Sequence, residues 1–461
     1  MVRRQPRFGQ VRQFHLVGIG GIGMSAIAEV LLHRGYQVSG SDSRASEITE
    51  GLTERGAQIF IGHAPENIQG ADVVIHTSAV RRQENIETRA AIEARIPVIK
   101  RAEMLAELMR TKFSVGIAGT HGKTTTTTMA AQVIQAGDFD PTAIVGGRVE
   151  SFARSNALIG DGDLIVVEAD EFDRTFLKLP SSIAVITNIE IEHVDIYDDL
   201  DDLKGAFLQF ARAVPFYGAL ILCVDDPHAR SLLDHLDRPV LTYGFSPQAR
   251  LRAQALRSQG FLSRFEVLLD HQTLGEITLR APGAHNACNA LAAIGVGLEL
   301  GIPFEQIQKG ISNFSGILRR FHLQGEEQGI LLIDDYAHHP TEVEATLKAA
   351  RTSFPGRRLV AAFQPHLYSR TRQFHAQFAA ALSLADLVFV TDVYPAREAP
   401  LPGVTGDLIA EAIEDTTVHY LPEKEDLPEA LLAHTTTGDL VITLGAGDIN
   451  ALGARFLETL S

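Results

Sequence analysis

Hydrophobic and polar positions along the chain follow two alternating periods. Short apolar runs recur between longer stretches whose apolar residues repeat at helical spacing, the pattern of parallel α/β sheets. The runs predict strands at Phe14–Val17, Val73–His76, Phe113–Ala118, Leu164–Val167, Ile183–Thr187, Leu220–Val224, Ile330–Ile333, Leu359–Phe363, Leu387–Thr391 and Leu440–Leu444. Many end in glycine, acid or histidine, as strands do when they deliver residues to a crevice at the carboxyl edge of a sheet. After the first run, Met24, Ile27, Ala28, Leu31 and Leu32 form a helical stripe. From about 240 to 282 the texture changes to short alternating runs with turn residues, which predicts an antiparallel appendage.

Three blocks, each opening on a strand, divide the 461 residues at 1–107, 108–317 and 318–461. A chain of this size exceeds what one hydrophobic core serves. There is no low-complexity tract and no fixed short repeat. A strand running into a glycine turn recurs instead, at 14–23, 113–122 and 440–447. The prediction is an α/β fold of three domains: a Rossmann-like N-terminal domain, a central P-loop ATPase-type domain and a C-terminal Rossmann-like domain.

Composition narrows the partners. Hydrophobic residues at 45% and charged residues at 21% describe an ordinary globular chain. Its 41 basic and 57 acidic residues give a net charge of −16, which opposes attraction to nucleic acid or anionic lipid. Any anionic ligand must therefore be gripped locally. Cys223 and Cys288 lie far apart in sequence without CxxC or CxxH spacing, so they read as buried apolar thiols in a reducing cytoplasm, with neither a disulfide framework nor a thiolate metal site. "MVRRQPRF" before an apolar stretch mimics a leader. His15, Glu29 and the glycines at 18, 20, 21, 23 and 35 suit a strand, turn and helix better, so neither an export signal nor a membrane-spanning helix is predicted.

Two glycine turns carry phosphate chemistry. Gly18-x-Gly20-x-x-Gly23 follows a strand and opens a helix, where backbone N–H groups face a pyrophosphate, and Asp42 ends the next strand. A tight turn without ligand is the bland alternative, and spacing does not choose the nucleotide. In "GIAGTHGKTTTT" the N–H groups of Gly119 to Lys123 suit phosphate oxygens, Lys123 the β and γ charges, and the Thr124 hydroxyl Mg²⁺. Ile117 stands at the first glycine position of the strict P-loop pattern, with Gly116 one residue early.

Other strand ends supply polar clusters. "LIVVEADEFD" places Glu168 at a strand terminus as a Mg²⁺ ligand candidate, while Asp170, Glu171 and Asp173 read as a solvated acidic loop. "AVITNIEIEHVD" adds Asn188, His193 and Asp195; "APGAHNACNALAA" adds His285, Asn286 and Asn289 at a helix start; Arg319 and Arg320 lie near the last domain junction. In "DDYAHHPTEVEATL", Asp334 and Asp335 end a strand, Tyr336, His338 and His339 fill a loop, and Thr341 with Glu344 predicts a capping box. Zinc-type ligand spacing around the paired histidines is lacking. "QPHLYSRT" brings His366, Tyr368 and Arg370 to the same edge, arginine being suited to a bidentate carboxylate contact.

"HLVGIGGIGMSAIAEVLLHRGYQVSGSD", "GTHGKTTTT", "EADE", "TNIEIEH", "HNACNALAA", "DDYAHHPTEV" and "QPHLYSRT", in this order over essentially the whole chain, resemble the Mur ligases of peptidoglycan synthesis. The resemblance implies a cytoplasmic enzyme that uses ATP and Mg²⁺ to join an amino acid to a carboxylate through an acyl phosphate. Its partners would be UDP-N-acetylmuramate, L-alanine and ATP. It implies a UDP-sugar-binding domain at 1–107, an ATP-binding domain at 108–317 and, at 318–461, a domain that takes the amino acid and closes on ATP. Gly20, Gly21, Ile22, Gly23, Asp42 and Ser78 would face the UDP-sugar. Gly119, Thr120, His121, Gly122, Lys123, Thr124, Thr125, Asn286, Asn289, Arg320 and Asp335 would hold ATP. Thr124, Glu168 and His193 would hold metal, and Tyr336, His338 and Arg370 would face the amino acid.

The catalytic set under this resemblance is Lys123, Glu168, His193, Arg320 and His338, with His193 and His338 both open as proton acceptor. Leu367 stands where related ligases often carry a basic residue. A sister ligase that recycles whole peptides is the near alternative. An NAD-dependent oxidoreductase and a P-loop motor ATPase are the remote ones; the first leaves "GTHGKTT" unexplained, and the second predicts phosphate release without an amino acid.

Overall fold

A computed structural model of the chain describes residues 8–77, 79–152, 155–192, 196–396 and 398–460, Asp173 through its backbone only. Its first sheet is five parallel strands in the order Gln58–Ile61, Gln37–Asp42, Gln13–Val17, Val73–His76, Val98–Lys100. Strand order reverses between Gln13–Val17 and Val73–His76, so the crevice beyond their carboxyl ends is the switch point at which such sheets receive ligands. Alternation of side chains sends Leu16 into a cluster with Ile27 and Leu31 and Val17 into another with Val74 and Ala91. Both faces are thereby buried, which is why the run is apolar throughout.

In the second sheet, Phe113–Ala118 lies between Ile183–Ile186 and Leu164–Glu168, all parallel, with Ile117 paired to Glu168. That register sets the Glu168 carboxylate beside the glycine turn. The predicted appendage is present as Leu251–Gln259, Leu262–Leu269 and Gln272–Leu279 beyond Val240–Gly244. Its last hairpin turns through Asp270 and His271, whose φ values of 47° and 69° fit the right-handed twist of paired strands.

The third sheet runs His322–Glu327, Ile330–Asp335, Leu440–Leu444, Leu359–Phe363, Leu387–Thr391, Thr417–Leu421 and is parallel except for its first strand. Ile333, Leu347 and Phe378 pack one face, and Leu332, Phe389 and Phe456 the other. The fold is thus α/β, with Rossmann-like first and third domains and a P-loop-type domain between them in the sequence. Packing gathers the chain into two compact units, one of residues 1–254, 266–277 and 288–314, the other of 255–265, 278–287 and 315–461.

One local prediction fails. The helix Pro340–Ser353 begins with Pro340 in its first turn and has no side-chain cap at His339, so Thr341 lies inside the helix. Proline fixes the helical φ and needs no N–H partner there, which makes the capping box unnecessary. Glu342 reaches back instead, accepting the His338 N–H at 3.1 Å, while Glu344 pairs with Lys348.

Candidate active site

The second glycine turn is built by neighbours that only glycine tolerates. Gly119 adopts φ 139°, and a Cβ there would stand 1.9 Å from Thr187 Oγ1. Gly122 adopts φ 81° before the helix Lys123–Ala136, and a Cβ there would stand 2.4 Å from Asn289 Oδ1. The strand end at 187–188 fastens the loop. The His121 N–H donates to Asn188 Oδ1 at 2.8 Å, and Thr187 Oγ1 and Asn188 Nδ2 donate to the His121 carbonyl at 2.7 and 3.0 Å. Thr126 Oγ1 donates to Asn289 Oδ1 at 3.2 Å, while Thr127 and Thr128 bond back to the carbonyls of Lys123 and Thr124. Thr126, Thr127 and Thr128 are therefore satisfied within their own helix and by one neighbour.

Lys123 Nζ donates to the carbonyls of Gly119 and Thr120 at 2.7 and 3.1 Å and to Glu171 Oε2 at 2.7 Å. Burial alone would lower this ammonium, but the carboxylates of Glu171, Asp170 and Glu168 outweigh it and keep Lys123 protonated well above its usual range. Thr124 Oγ1 donates to both oxygens of Glu168, at 3.2 and 3.0 Å, and the Gly146 N–H donates to Glu168 Oε2 at 2.7 Å. Three carboxylates share one ammonium, so the cluster carries surplus negative charge. Burial raises Glu168, and it pushes Glu171 up to about 7 against the pull of Lys123. Glu171, read from sequence as part of a solvated loop, is 1% exposed. The contact that buries it spans 48 residues, beyond the reach of any local pattern.

In the first domain, Gly18 has φ 80°, and the Gly20 N–H donates to Asp42 Oδ2 at 2.9 Å. Asp42 thus shapes the turn as well as edging it. The helix Ile22–His33 starts after Gly21, so Gly23 lies within it, and a Cβ on Gly23 would meet Arg101 Nη1 at 2.9 Å. That places a guanidinium across a helix N-terminus, a setting that favours anions and was missed in the sequence. Beneath the sheet edge, buried Glu87 accepts from Ser41 Oγ at 2.5 Å, Asn67 Nδ2 at 2.6 Å and His63 Nδ1 at 3.1 Å. Burial would raise this carboxyl, but hydrogen bonds from His15, Ser41 and Asn67 hold it at about 2.

Asn156 Nδ2 donates to the Ile22 carbonyl, Ser25 Oγ donates to Asn156 Oδ1 at 3.4 Å, and Arg148 pairs with Glu47 at 3.0 Å. These contacts join the first two domains within one unit.

In the other unit, Asp335 accepts the N–H groups of Phe321 and Ala337 at 2.7 and 2.8 Å; burial pushes its carboxyl up to about 6 despite Arg320. Arg319 and Arg320 lie 4.9 and 5.3 Å from the Tyr336 ring centre, and Arg320 pairs with Glu342 at 3.5 Å. His285 is lowered to about 4 by burial and by Arg320, and Asn286 Nδ2 donates to the Pro282 carbonyl at 2.8 Å. His338 Nδ1 sits 2.9 Å from the Tyr336 carbonyl, and its ring lies 5.9 Å from that of His366. Arg370 stands in the first turn of the helix Tyr368–Leu382.

The structure therefore brings together Gly119 to Thr125, Glu168 and Asn289 in one unit, and Asn286, Arg320, Asp335, Tyr336 and His338 in the other. Ser78, His193 and Asp195 lie outside the described residues. Cys223 and Cys288, distant in sequence, touch: their sulfurs are 3.7 Å apart, and of the two thiols expected to be buried Cys223 is and Cys288 is only half-buried.

A buried lysine on a glycine turn between a parallel strand and a helix, with acids at the adjacent strand end, defines a nucleotide-dependent phosphate-handling enzyme. Three family descriptions match in order: "Mur ligase family, catalytic domain" over residues 13–113, "Mur ligase middle domain" over 117–297 and "Mur ligase, glutamate ligase domain" over 319–447. The chain belongs to the Mur ligase family of ATP-dependent ligases.

Relatives agree along its whole length. A UDP-N-acetylmuramate–L-alanine ligase of Salinibacter ruber is 54% identical over 100% of this chain and 97% of that protein. One of Myxococcus xanthus is 51% identical over 97% and 95%. The crystal structure of the UDP-N-acetylmuramate-alanine ligase of Thermotoga maritima superposes with a TM-score of 0.82 at 30% identity, covering 97% of this chain and 98% of that one. A murein peptide ligase of Psychrobacter arcticus shares the fold, with a TM-score of 0.70 at 23% identity and the same coverage.

Proposed function

We propose that this chain joins L-alanine to the lactyl carboxylate of UDP-N-acetylmuramate at the expense of ATP, a cytoplasmic step toward peptidoglycan precursors. The observation that carries the reading is the Lys123, Thr124 and Glu168 cluster of a P-loop, in a chain about half identical to alanine-adding ligases from end to end. The carboxylate oxygen attacks the γ-phosphorus and ADP leaves. The amine nitrogen of alanine then attacks the acyl carbon, phosphate leaves, and one proton is released.

Each residue has a task in this scheme. The N–H groups of Gly119 to Lys123 take phosphate oxygens, and Lys123 exchanges Glu171 for the β and γ charges. Asn286, Asn289, Arg320 and Asp335 take the rest of ATP, while Gly20 to Gly23, Asp42 and Ser78 take the UDP-sugar. Surplus negative charge beside Lys123 and the convergence of Thr124 Oγ1 on Glu168 suit a hard divalent cation. Mg²⁺ held by Thr124, Glu168 and His193 would neutralise phosphate charge. The amine must arrive unprotonated. His338 holds Nδ1 toward the Tyr336 carbonyl and Glu342, which leaves Nε2 as the lone-pair nitrogen. Tyr336 and Arg370 face the alanine carboxylate.

The test is phosphate release over a panel of amino acids and a murein tripeptide, with and without UDP-N-acetylmuramate. The reading expects release only with the UDP-sugar and a small amino acid together. Release with the tripeptide but not with alanine, or release without either acceptor, would reject it.

A further inference from the structure

The two cysteines meet where the strand Ala219–Cys223 ends beside the helix Ala284–Glu299, with sulfurs 3.7 Å apart. A carboxylate oxygen of Asp225 completes a trio of donor atoms all within 4.8 Å of one another. Two thiolates on one tetrahedral zinc ion, each at about 2.3 Å, stand roughly 3.8 Å apart. The sulfurs thus already span one edge of such a site.

Two packed thiols would show the same spacing, so the surroundings decide. Asp225 is held in place: its Oδ2 accepts the Phe245 N–H at 2.6 Å and its Oδ1 the Ser246 N–H at 2.8 Å. Gly244, at φ 149°, leaves room for that carboxylate, because a Cβ there would stand 2.4 Å from Asp225 Oδ1. Metal-ligating side chains are ordinarily oriented by such outer hydrogen bonds.

We propose that Cys223, Cys288 and Asp225 form a site for a zinc-class divalent cation, with water in the fourth position. Cys223 is buried, Cys288 half-buried and Asp225 exposed, so the ion enters from the Asp225 side. Soft sulfur ligands distinguish this site from the sulfur-free set of Thr124, Glu168 and His193 proposed for Mg²⁺. Asn289, which follows Cys288, accepts from Thr126 beside the phosphate loop, so an ion here would brace the helix that abuts the nucleotide turn.

The experiment uses the full chain, stripped of metal and kept reduced without added thiol, titrated with zinc against a chromogenic chelator. One equivalent should be retained by the unaltered chain. Cys223→Ser and Cys288→Ser should each weaken retention about 100-fold or more, and Gly244→Ala, which displaces Asp225 and leaves both sulfurs, about 10-fold. Cobalt should give a sulfur-to-metal charge-transfer band that both serine variants lose. Failure of the unaltered chain to retain zinc, or equal retention by a folded serine variant, overturns the proposal. Should both serine variants fail to fold, an unchanged affinity in Gly244→Ala overturns it too, as does a cobalt spectrum of the unaltered chain without the thiolate band.

Discussion

Replacing Glu171 by glutamine keeps the shape of the side chain and removes the anion that holds Lys123. The carboxyl sits at about 7 in the folded chain against an ordinary 4.5, because burial disfavours its charge more than Lys123 favours it. A carboxyl raised on folding makes the folded state less stable as it ionises, so the loss begins as pH rises past 4.5 and is complete above about 7. At about 1.36 kcal/mol per pH unit, that gap amounts to about 3 kcal/mol. Glutamine has no such loss. Relative to the unaltered chain, Glu171→Gln should therefore gain up to about 3 kcal/mol between pH 4.5 and pH 8, read as the difference in unfolding free energy from urea titrations of nucleotide-free protein.

The same change frees Lys123 for phosphate, so a non-hydrolysable ATP analogue should bind the variant more tightly at pH 8 and nearly equally at pH 5. A flat difference curve, or one in which the variant loses ground as pH rises, would refute the argument that Glu171 is an under-compensated buried acid.

Three further outcomes follow from the geometry. Lys123→Ala should abolish phosphate release while leaving UDP-sugar binding intact by calorimetry, since the two glycine turns belong to different domains. Gly122→Ala puts a side chain at φ 81° and 2.4 Å from Asn289 Oδ1; it should lower the stability of the chain by about 1–3 kcal/mol in thermal unfolding and eliminate ATP binding. Glu87, held at about 2 in the folded chain, contributes stability that is present above 4.5 and lost as pH falls through 2; the advantage of the unaltered chain over Glu87→Gln should shrink across that acid limb, followed by circular dichroism.

The parts of the fold visible in the sequence are those governed by local periodicity. Ten apolar runs became strands within a residue or two at their ends, because a strand buried on both faces must be apolar throughout. Both glycine turns were legible because steric demands, on Gly18 in the first and on Gly119 and Gly122 in the second, leave glycine in the chain itself. What stayed hidden depends on partners far away. Lys123 finds Glu171 across 48 residues, Ser41 finds Glu87 across 46, and Cys223 finds Cys288 across 65. Arg101 gave no motif, and its place over Gly23 arises only when the helix Arg101–Arg110 packs near the first one. The capping box failed because proline at the helix start removed the need for it.

Asn156 reaches from the central domain to the carbonyl of Ile22, and Arg148 to Glu47. Both glycine turns accordingly belong to one body whose spacing is set when the chain folds. For inhibitor chemistry this matters: a single molecule bearing two anionic heads on a tether matched to that separation meets its second pocket at a high local concentration once the first is filled. Tether length would then act as a ruler, with affinity peaking sharply at one value and falling on either side.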